Sequence, residues 1–223
     1  TRKYRYHGLD RVREEIEWVG RHNIRYLFNA DSNFGMHKRD PEIAEYIVET
    51  KQKYGYPEKF RTCWGKNTDV NIFQIAVKLH QHDMDKGVTL ARQTNSKTVL
   101  SNIKRGNIKM DTYSNLQKLF NEVGITVYSE MILGLPGETY ESWRDGLNEL
   151  IEAGPKNQLF VYQCEVYRNT DLAEPEYQEK FGIKTQRIEL NEIHGGIRSG
   201  DWVTEFQDII VETASMRVAD WRR

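Results

Sequence analysis

The stretch Tyr128-Ser-Glu-Met-Ile-Leu-Gly-Leu-Pro-Gly-Glu-Thr139 decides the fold that we predict for this chain. The residues from Ile125 to Leu133 are mostly apolar and partly β-branched, which is typical of a buried strand. Gly134, Pro136 and Gly137 follow directly, and residues of these types end strands and turn the chain. The stretch therefore predicts a strand that ends in a tight turn.

An amphipathic helix is predicted just after this turn. Thr139 is a suitable N-cap, and apolar residues then recur at helical spacing, at Trp143, Leu147, Leu150 and Ile151. The turn thus lies at the carboxyl end of a strand, where α/β folds bind their ligands. Glycine lets a flat ligand approach the backbone closely, but such turns also occur in loops without a ligand. The local pattern alone leaves both readings open.

The composition is that of an ordinary globular domain. A chain of 223 residues is long enough for one domain with a sizeable core. The formal net charge of -1 argues against a nucleic-acid partner, and no apolar run approaches the length of a membrane span. Two cysteines argue against a disulfide framework and favour a reducing compartment, so we expect a cytoplasmic protein.

Strands and helices alternate along most of the chain. Five strands are predicted, at residues 24–28, 60–64, 88–91, 125–133 and 158–162, with helical patterns between them. This rhythm is typical of parallel strands joined by right-handed helical crossovers. We therefore predict an α/β fold, a partial (β/α) barrel of parallel strands with outer helices, over residues 1–167. Residues 168–223 are predicted to form an irregular C-terminal tail packed on the barrel, with a strand near 204–211 and a short helix near 218–222.

Polar residues collect where the predicted strands end. They are Asp31, Ser32, Asn33, Lys66, Asn67, Arg92, Gln93, Thr94, Ser96, Tyr162, Gln163 and Glu165. In a parallel barrel such ends face one mouth, and amides and hydroxyls there suit a zwitterionic, ribose-containing ligand. We expect Asp31, Gln93 and Gly134 to share one rim of this mouth.

Many of these residue types also cap helices, which is the alternative to a ligand contact. Capping is the favoured role for Asp69, Asp111 and Thr139, which stand before predicted helices. For Asp31, Gln93 and Ser96, capping and ligand contact remain equally open.

Three segments resemble, in the right order, the radical S-adenosylmethionine (SAM) enzymes. The segment from Leu9 to Phe34 resembles the helix and strand that follow the cluster loop of that family. Gln93–Asn107 resembles the segment after the fourth strand, and Leu133–Thr139 resembles the fifth-strand motif. Within the family, the pattern is most similar to members that often carry an upstream cobalamin-binding domain.

The resemblance implies a chemistry and its cofactors. In the intact parent protein, a 4Fe-4S cluster would donate one electron to SAM, which splits into methionine and a 5′-deoxyadenosyl radical. The protein would bind, orient and shield the reactants while the cofactors carry out the chemistry. An electron donor and a substrate of unknown identity are implied as partners, and cobalamin is a further cofactor that the subgroup suggests.

The resemblance also implies site residues. Gly134, Leu135, Pro136 and Gly137 would flank the adenine, and Gln93 and Ser96 would reach the ribose or the methionine carboxylate. Arg105 would either counter that carboxylate or form an ion pair at the surface.

Five further residues, at three places in the chain, are candidates as well. Asp31 and Asn33 stand where the family often has a Gly-Glu pair, which this chain lacks, so their contact with the SAM amino group is open. Tyr162 and Gln163 are the residues of the last strand that are expected to face the ligand. Glu130 within the fourth strand needs a charged partner if it points inward, either an Arg or Lys or the substrate.

The cysteines are the main departure from the family. The family signature is a C-x-x-x-C-x-x-C triplet, because such clusters are held by thiolates. This chain has only Cys63 and Cys164, far apart, and for each we predict a small buried hydrophobe rather than a ligand. The first strand and cluster loop are thus expected to precede Thr1, and this chain alone is expected to bind no iron. The open strand edge is expected to promote self-association.

Two other functions remain open at this stage. A degenerate, non-catalytic barrel could act as a binding or assembly module. An ordinary (β/α) barrel enzyme would need a catalytic lysine or a carboxylate pair, and Lys66 and Asp31 are available, although no spacing singles them out.

Overall fold

The computed structural model describes residues 5–65, 70–154, 158–190 and 203–223. The helices are α1 Leu9–Arg21, α2 Asp40–Tyr54, α3 Val70–Gln81, α4 Lys97–Asn102, α5 Met110–Glu122, α6 Tyr140–Glu152 and α7 Pro175–Phe181. The strands are β1 Tyr26–Phe28, β2 Lys59–Arg61, β3 Val88–Gln93, β4 Val127–Leu133, β5 Leu159–Gln163, β6 Lys184–Glu189 and β7 Phe206–Glu212. The chain divides into two compact units, which we describe separately.

Unit 1 comprises residues 1–91, 107–129 and 153–159. Its strands β1 and β2 pair in parallel, with Leu27 opposite Phe60. Helix α2 begins at Asp40 with proline in its first turn and ends at Gly55, whose φ of 80° is left-handed, as the sequence predicts. The core is formed by α1, α2, α3 and β2, with Ile16, Phe34, Ala44, Ile47, Val48, Phe60, Ile75, Leu79 and Met84.

Unit 2 comprises residues 92–106, 130–152 and 160–223. Its core contains Val99, Leu135, Cys164, Ile183 and Ile210. Strands β6 and β7 are antiparallel, and β7 also bridges to Glu165 just beyond β5. This unit therefore joins the end of β4 and the helix α6 to the C-terminal part of the chain.

Strands β3, β4 and β5 form a three-stranded sheet in that order. The Ser129 N–H donates to the Gln158 carbonyl at 3.1 Å, and the Cys164 N–H donates to the Leu133 carbonyl at 2.8 Å. Because the partner numbers rise together, β4 and β5 run parallel. Parallel strands are thus confirmed, and the α/β fold with them, while a partial barrel stays a prediction because β1 and β2 form a separate sheet in the described chain.

The C-terminal tail contains β7 where a strand was predicted near 204–211 and a 3-10 helix, Asp220–Arg222, where a short helix was predicted near 218–222, but it is more regular than expected. It contains α7, β6 and β7 among its described residues. Strand β6 was missed because its sequence, Lys-Thr-Gln-Arg-Ile-Glu, is exposed at five of six positions and has no alternation of apolar and polar residues. Its strand conformation follows from antiparallel pairing with β7.

Smaller corrections concern strand and helix ends. Strand β2 ends at Arg61, and Trp64 forms only an isolated parallel bridge with Phe34. Asp111 does not cap α5, because the helix already begins at Met110 and Asp111 lies in its first turn, where its charge favours the helix dipole. The expectations for Lys66, Asn67 and Asp69 fall on residues outside those described.

None of the described helices combines the length and apolar character that a membrane crossing requires. The predicted boundary between residues 167 and 168 and the cytoplasmic location stay predictions.

Candidate functional site

The end of β3 and the loop that follows it hold two of the residues that the resemblance assigns to a ligand. Gln93 has a φ of 61°, in the left-handed region that non-glycine residues rarely adopt. Its side chain is half-buried and makes no hydrogen bond to any residue that the structure describes. Ser96 caps α4, because its Oγ accepts from the Val99 N–H at 3.4 Å. The structure thus gives Ser96 the capping role, while its ligand contact stays a prediction.

The turn after β4 is packed by side chains of this same unit. Gly134 and Gly137 have φ angles of 95° and 90°. A Cβ on Gly134 would lie 2.6 Å from the Trp221 ring, and one on Gly137 would collide with the Asn102 amide. Asn102 also donates to the carbonyl of Pro136 at 3.0 Å. Both glycines are therefore required by backbone conformation and by internal packing, and their contact with an adenine stays a prediction.

A buried carboxylate joins this turn to the loop after β3. Glu138 is 0% exposed, and its Oε2 accepts a hydrogen bond from Thr94 Oγ1 at 2.5 Å. Its Oε1 accepts from Ser142 Oγ, and its backbone carbonyl accepts from Ser215 Oγ at 2.7 Å. We call the Thr94–Glu138 contact the brace. The brace brings together two groups of predicted site residues, those at 93–96 and those at 134–137.

The brace was missed by sequence reasoning because its partners are 44 residues apart and neither stands in a motif that predicts pairing. The capping role of Thr139 is confirmed, since its Oγ1 accepts from the Ser142 N–H at 3.1 Å and so begins α6.

Arg105 and Glu130 interact in unit 2, and both are half-buried. Burial lowers the pKa of the Arg105 guanidinium below its ordinary value, and the neighbouring Glu130 carboxylate opposes that shift. Glu130 thus has the basic partner that a charge on this strand requires. The contact of Arg105 with a ligand carboxylate stays a prediction.

Leu135 and Tyr162 lie in different surroundings. Leu135 is 4% exposed and packs in the core of unit 2 against Val99 and Ile210. Tyr162 on β5 is 49% exposed and stacks on Phe160 with ring centroids 6.0 Å apart. The structure therefore gives Leu135 a packing role and leaves Tyr162 accessible.

Asp31 and Asn33 belong to unit 1, so their position relative to the residues of unit 2 stays a prediction. The Asp31 carboxylate accepts from the Asn33 N–H at 2.8 Å, which forms a local turn. Both residues line a cavity of about 1000 Å³, together with apolar side chains of α1, β1 and α2 that include Val12, Ile16 and Phe28.

The cysteines do not fit an iron-sulfur cluster. Cys63 is exposed, so the prediction that it is buried was wrong, because β2 ends before it. Cys164 is buried as predicted, and burial raises the pKa of its thiol to about 12. A 4Fe-4S cluster is held by several thiolates, and this chain has two cysteines in separate units. Among the described residues, no three His, Cys, Asp or Glu side chains are grouped to hold a metal ion.

Comparison with known proteins gives clear relatives, although no protein-family model matches the sequence. The chain is 36% identical over 212 residues to the cobalamin-dependent radical SAM methyltransferase TokK of Streptomyces tokunonensis, which covers 95% of this chain and 31% of that protein. It is 34% identical over 217 residues to the 2-(S-pantetheinyl)-carbapenam-3-carboxylate methyltransferase of Streptantibioticus cattleyicolor, which covers 97% of this chain and 32% of that protein.

The fold is similar to that of the radical SAM methyltransferase TsrM of Kitasatospora setae, whose structure contains cobalamin and a 4Fe-4S cluster. The TM-score is 0.62 with 18% identity, over 80% of this chain and 36% of that chain.

The chain is similar to radical SAM proteins both in sequence and in fold. More particularly, it matches along most of its length one cobalamin-dependent radical SAM methyltransferase and one 2-(S-pantetheinyl)-carbapenam-3-carboxylate methyltransferase. The resemblance seen in the sequence is thus confirmed. The chain spans about a third of the length of these curated relatives, at 31% and 32%.

Proposed function

We propose that this chain supplies SAM-binding residues to a cobalamin-dependent radical SAM methyltransferase. The observation that carries this proposal is the brace, which ties the loop after β3 to the turn after β4. Both segments were assigned to SAM by the resemblance, and a relative that matches 95% of this chain is a cobalamin-dependent radical SAM methyltransferase. A loop that is held in place and presents the Gln93 amide, which has no hydrogen-bond partner among the described residues, suits a polar ligand.

Different residues of unit 2 are proposed to bind different parts of SAM. The Gln93 amide is proposed to bind the ribose hydroxyls or the methionine carboxylate, because it has both donor and acceptor atoms and no described partner. The backbone from Gly134 to Gly137 is proposed to flank the adenine. The Arg105 guanidinium lies near the Glu130 carboxylate and balances its charge within this unit. The positive charge of Arg105 is also proposed to attract the methionine carboxylate of SAM.

The cluster ligands are proposed to come from a part of the protein outside this sequence. Two separated cysteines, one of them with a thiol pKa of about 12, do not provide the thiolates that a cluster needs. Methyltransferase activity of the whole protein and a role for cobalamin are part of the same proposal, because the name of the relative TokK states both. A reducing partner is proposed as well, since a cluster that donates an electron must receive one.

The first experiment tests SAM binding by this chain itself. Isothermal titration and saturation-transfer NMR with S-adenosylmethionine should show binding, and Gln93→Ala should weaken it about tenfold, as expected for the loss of hydrogen bonds to a polar ligand. Gln186→Ala on exposed β6 is the matched control and should leave binding unchanged. No binding by the native chain, or equal binding by the Gln93 variant, would contradict the proposal.

The second experiment uses the full product of the gene. Its sequence should contain a cysteine triplet before the segment that corresponds to Thr1. After anaerobic loading with iron, sulfide and cobalamin, incubation with SAM and a chemical reductant would transfer the SAM methyl group to the reduced cobalamin and leave S-adenosylhomocysteine, which mass spectrometry detects. A full-length product with no cysteine triplet would favour the non-catalytic binding module instead.

A further inference from the structure

Glu138 is a buried carboxylate whose side-chain partners, within the part of the chain that the structure describes, are hydroxyl groups. It is 0% exposed, and no Lys, Arg or His among the described residues forms an ion pair with it. Burying a carboxylate costs free energy unless hydrogen bonds compensate for the lost water. The hydroxyls of Thr94 and Ser142 donate the compensating hydrogen bonds, so both must stay in place. Its place just before α6 adds a favourable interaction with the helix N-terminus.

Thr94 is the second centre of the brace, and it also shapes its own loop. Its hydroxyl donates to Glu138 and accepts from the Ser96 N–H at 3.1 Å, while its own N–H donates to the Arg92 carbonyl at 2.8 Å. Thr94 is 1% exposed. One hydroxyl therefore fixes the loop internally and attaches it to the turn after β4.

The backbone next to Thr94 is strained, and strain must be held by its surroundings. Gln93 has a φ of 61°, in a region that is unfavourable for a non-glycine residue. A strained backbone conformation persists only where several neighbouring contacts hold it, and strained residues are common at ligand sites. The hydrogen bonds of Thr94, which directly follows in sequence, are contacts of this kind.

The turn after β4 is held from two further sides. Ser215, which follows β7, donates to the Glu138 carbonyl, and Asn102 at the end of α4 donates to the Pro136 carbonyl. The turn is therefore rigid where the brace reaches it, so that Thr94 is attached to a fixed point. Rigidly held groups bind a ligand with a smaller loss of conformational entropy.

We infer that Thr94 and Glu138 are a positioning pair, which sets the spacing between the Gln93–Ser96 loop and the Gly134–Gly137 turn and thereby the affinity for a nucleoside ligand. This inference rests on the proposed function. The pair does not touch the ligand. The pair acts through the Gln93 amide and the Gly134–Gly137 turn, because it fixes the position of one relative to the other.

The test compares variants that keep or remove the Thr94 hydroxyl. Thr94→Ser retains the hydroxyl and should bind S-adenosylmethionine within about twofold of the native chain. Thr94→Val keeps the shape but removes the donor to Glu138 and the acceptor for Ser96, and it should weaken binding about tenfold. Glu138→Gln, which keeps the size of the side chain, should weaken binding in the same direction and provides the decisive variant if Thr94→Val does not fold.

A matched control separates positioning from general stability. Ser129 in unit 1 is 1% exposed, and its hydroxyl belongs to a buried group with Tyr113 and Gln117. Ser129→Ala should lower the free energy of unfolding in urea much as Thr94→Val does, yet leave the dissociation constant unchanged. A nitrogen-15 correlation spectrum should also show the Ser96 amide shifted in Thr94→Val and restored in Thr94→Ser.

The outcomes are distinct. If the native chain binds S-adenosylmethionine and both Thr94→Val and Glu138→Gln bind it equally well, the positioning pair is refuted while the proposed function stands. If Ser129→Ala weakens binding as much as Thr94→Val, the effect is one of stability and the inference falls. If the native chain does not bind, the proposed function itself fails and the inference with it.

Discussion

The guanidinium of Arg105 lies close enough to the Glu130 carboxylate for the two charges to interact. Because both groups are half-buried, removing one charge leaves the other poorly solvated. We expect Glu130→Gln to lower the free energy of unfolding by about 1–3 kcal/mol, measured by urea denaturation. Asp145→Asn is the control, because the Arg144–Asp145 pair is exposed at 51% and 60% and should change stability by less than about 1 kcal/mol. Equal effects of the two variants would contradict this account.

Gly134 is predicted to tolerate no larger residue, for two separate reasons. Gly134→Ala meets both a φ of 95° and the Trp221 ring, whereas Gly154→Ala meets a φ of 73° and open space. The Gly154 variant should lose about 1 kcal/mol from backbone strain alone. The Gly134 variant should lose a further 1–3 kcal/mol, roughly, from overpacking against Trp221. Urea denaturation measures the loss of unfolding free energy in both variants. Equal losses would show that the Trp221 ring moves aside for the added methyl group, and they would contradict the overpacking.

The buried thiol of Cys164 is expected to make the free energy of unfolding depend on pH in the alkaline range. Its thiol pKa rises on folding from an ordinary value of 9.0 to about 12, chiefly through burial and secondarily through Glu165. Above pH 9 the unfolded thiol loses its proton while the folded thiol keeps it, so ionisation favours the unfolded state. The free energy of unfolding should therefore fall between about pH 9 and pH 12, by about 1.4 kcal/mol per pH unit at most.

The alkaline slope can be assigned to this thiol by one substitution. Cys164→Ala removes the ionisation, so the difference in slope between the native chain and the variant isolates Cys164 from the tyrosines and lysines that titrate in the same range. Alkylation provides a second reading, because exposed Cys63 should react with iodoacetamide in the folded protein and buried Cys164 only after unfolding. Equal slopes with and without the thiol would refute the prediction.

The sequence predicted the elements whose signals are local. Helix α2 was found from Pro41 and Gly55, and the strand, turn and helix from β4 to α6 were found from their apolar spacing, the glycines and Thr139. Each of these signals acts within a few residues of the feature that it predicts. The family resemblance followed from the same segments, since its motifs lie at strand ends.

The features that were missed depend on contacts between distant residues. Strand β6 is exposed at five of its six positions and exists through its pairing with β7, which no local pattern reveals. The Thr94–Glu138 brace joins two loops that are adjacent only in the folded unit. The role of Gly134 was predicted from the chemistry of glycine, but the sequence could not show that Trp221 fills the space beside it.

The free edge of β1 is expected to promote self-association. In the described chain β1 pairs only with β2, and Tyr26 and Phe28 on this short strand are 47% and 55% exposed. An unpaired edge with exposed aromatic side chains is a template for another strand, and a charged residue there opposes such pairing. Sedimentation velocity over a wide concentration range should show association that Phe28→Lys reduces. Ile151→Lys, at an equally exposed apolar position on α6, should leave the association unchanged. A monomer at all concentrations would refute this expectation, and equal effects of the two lysines would point to general surface charge instead of the β1 edge.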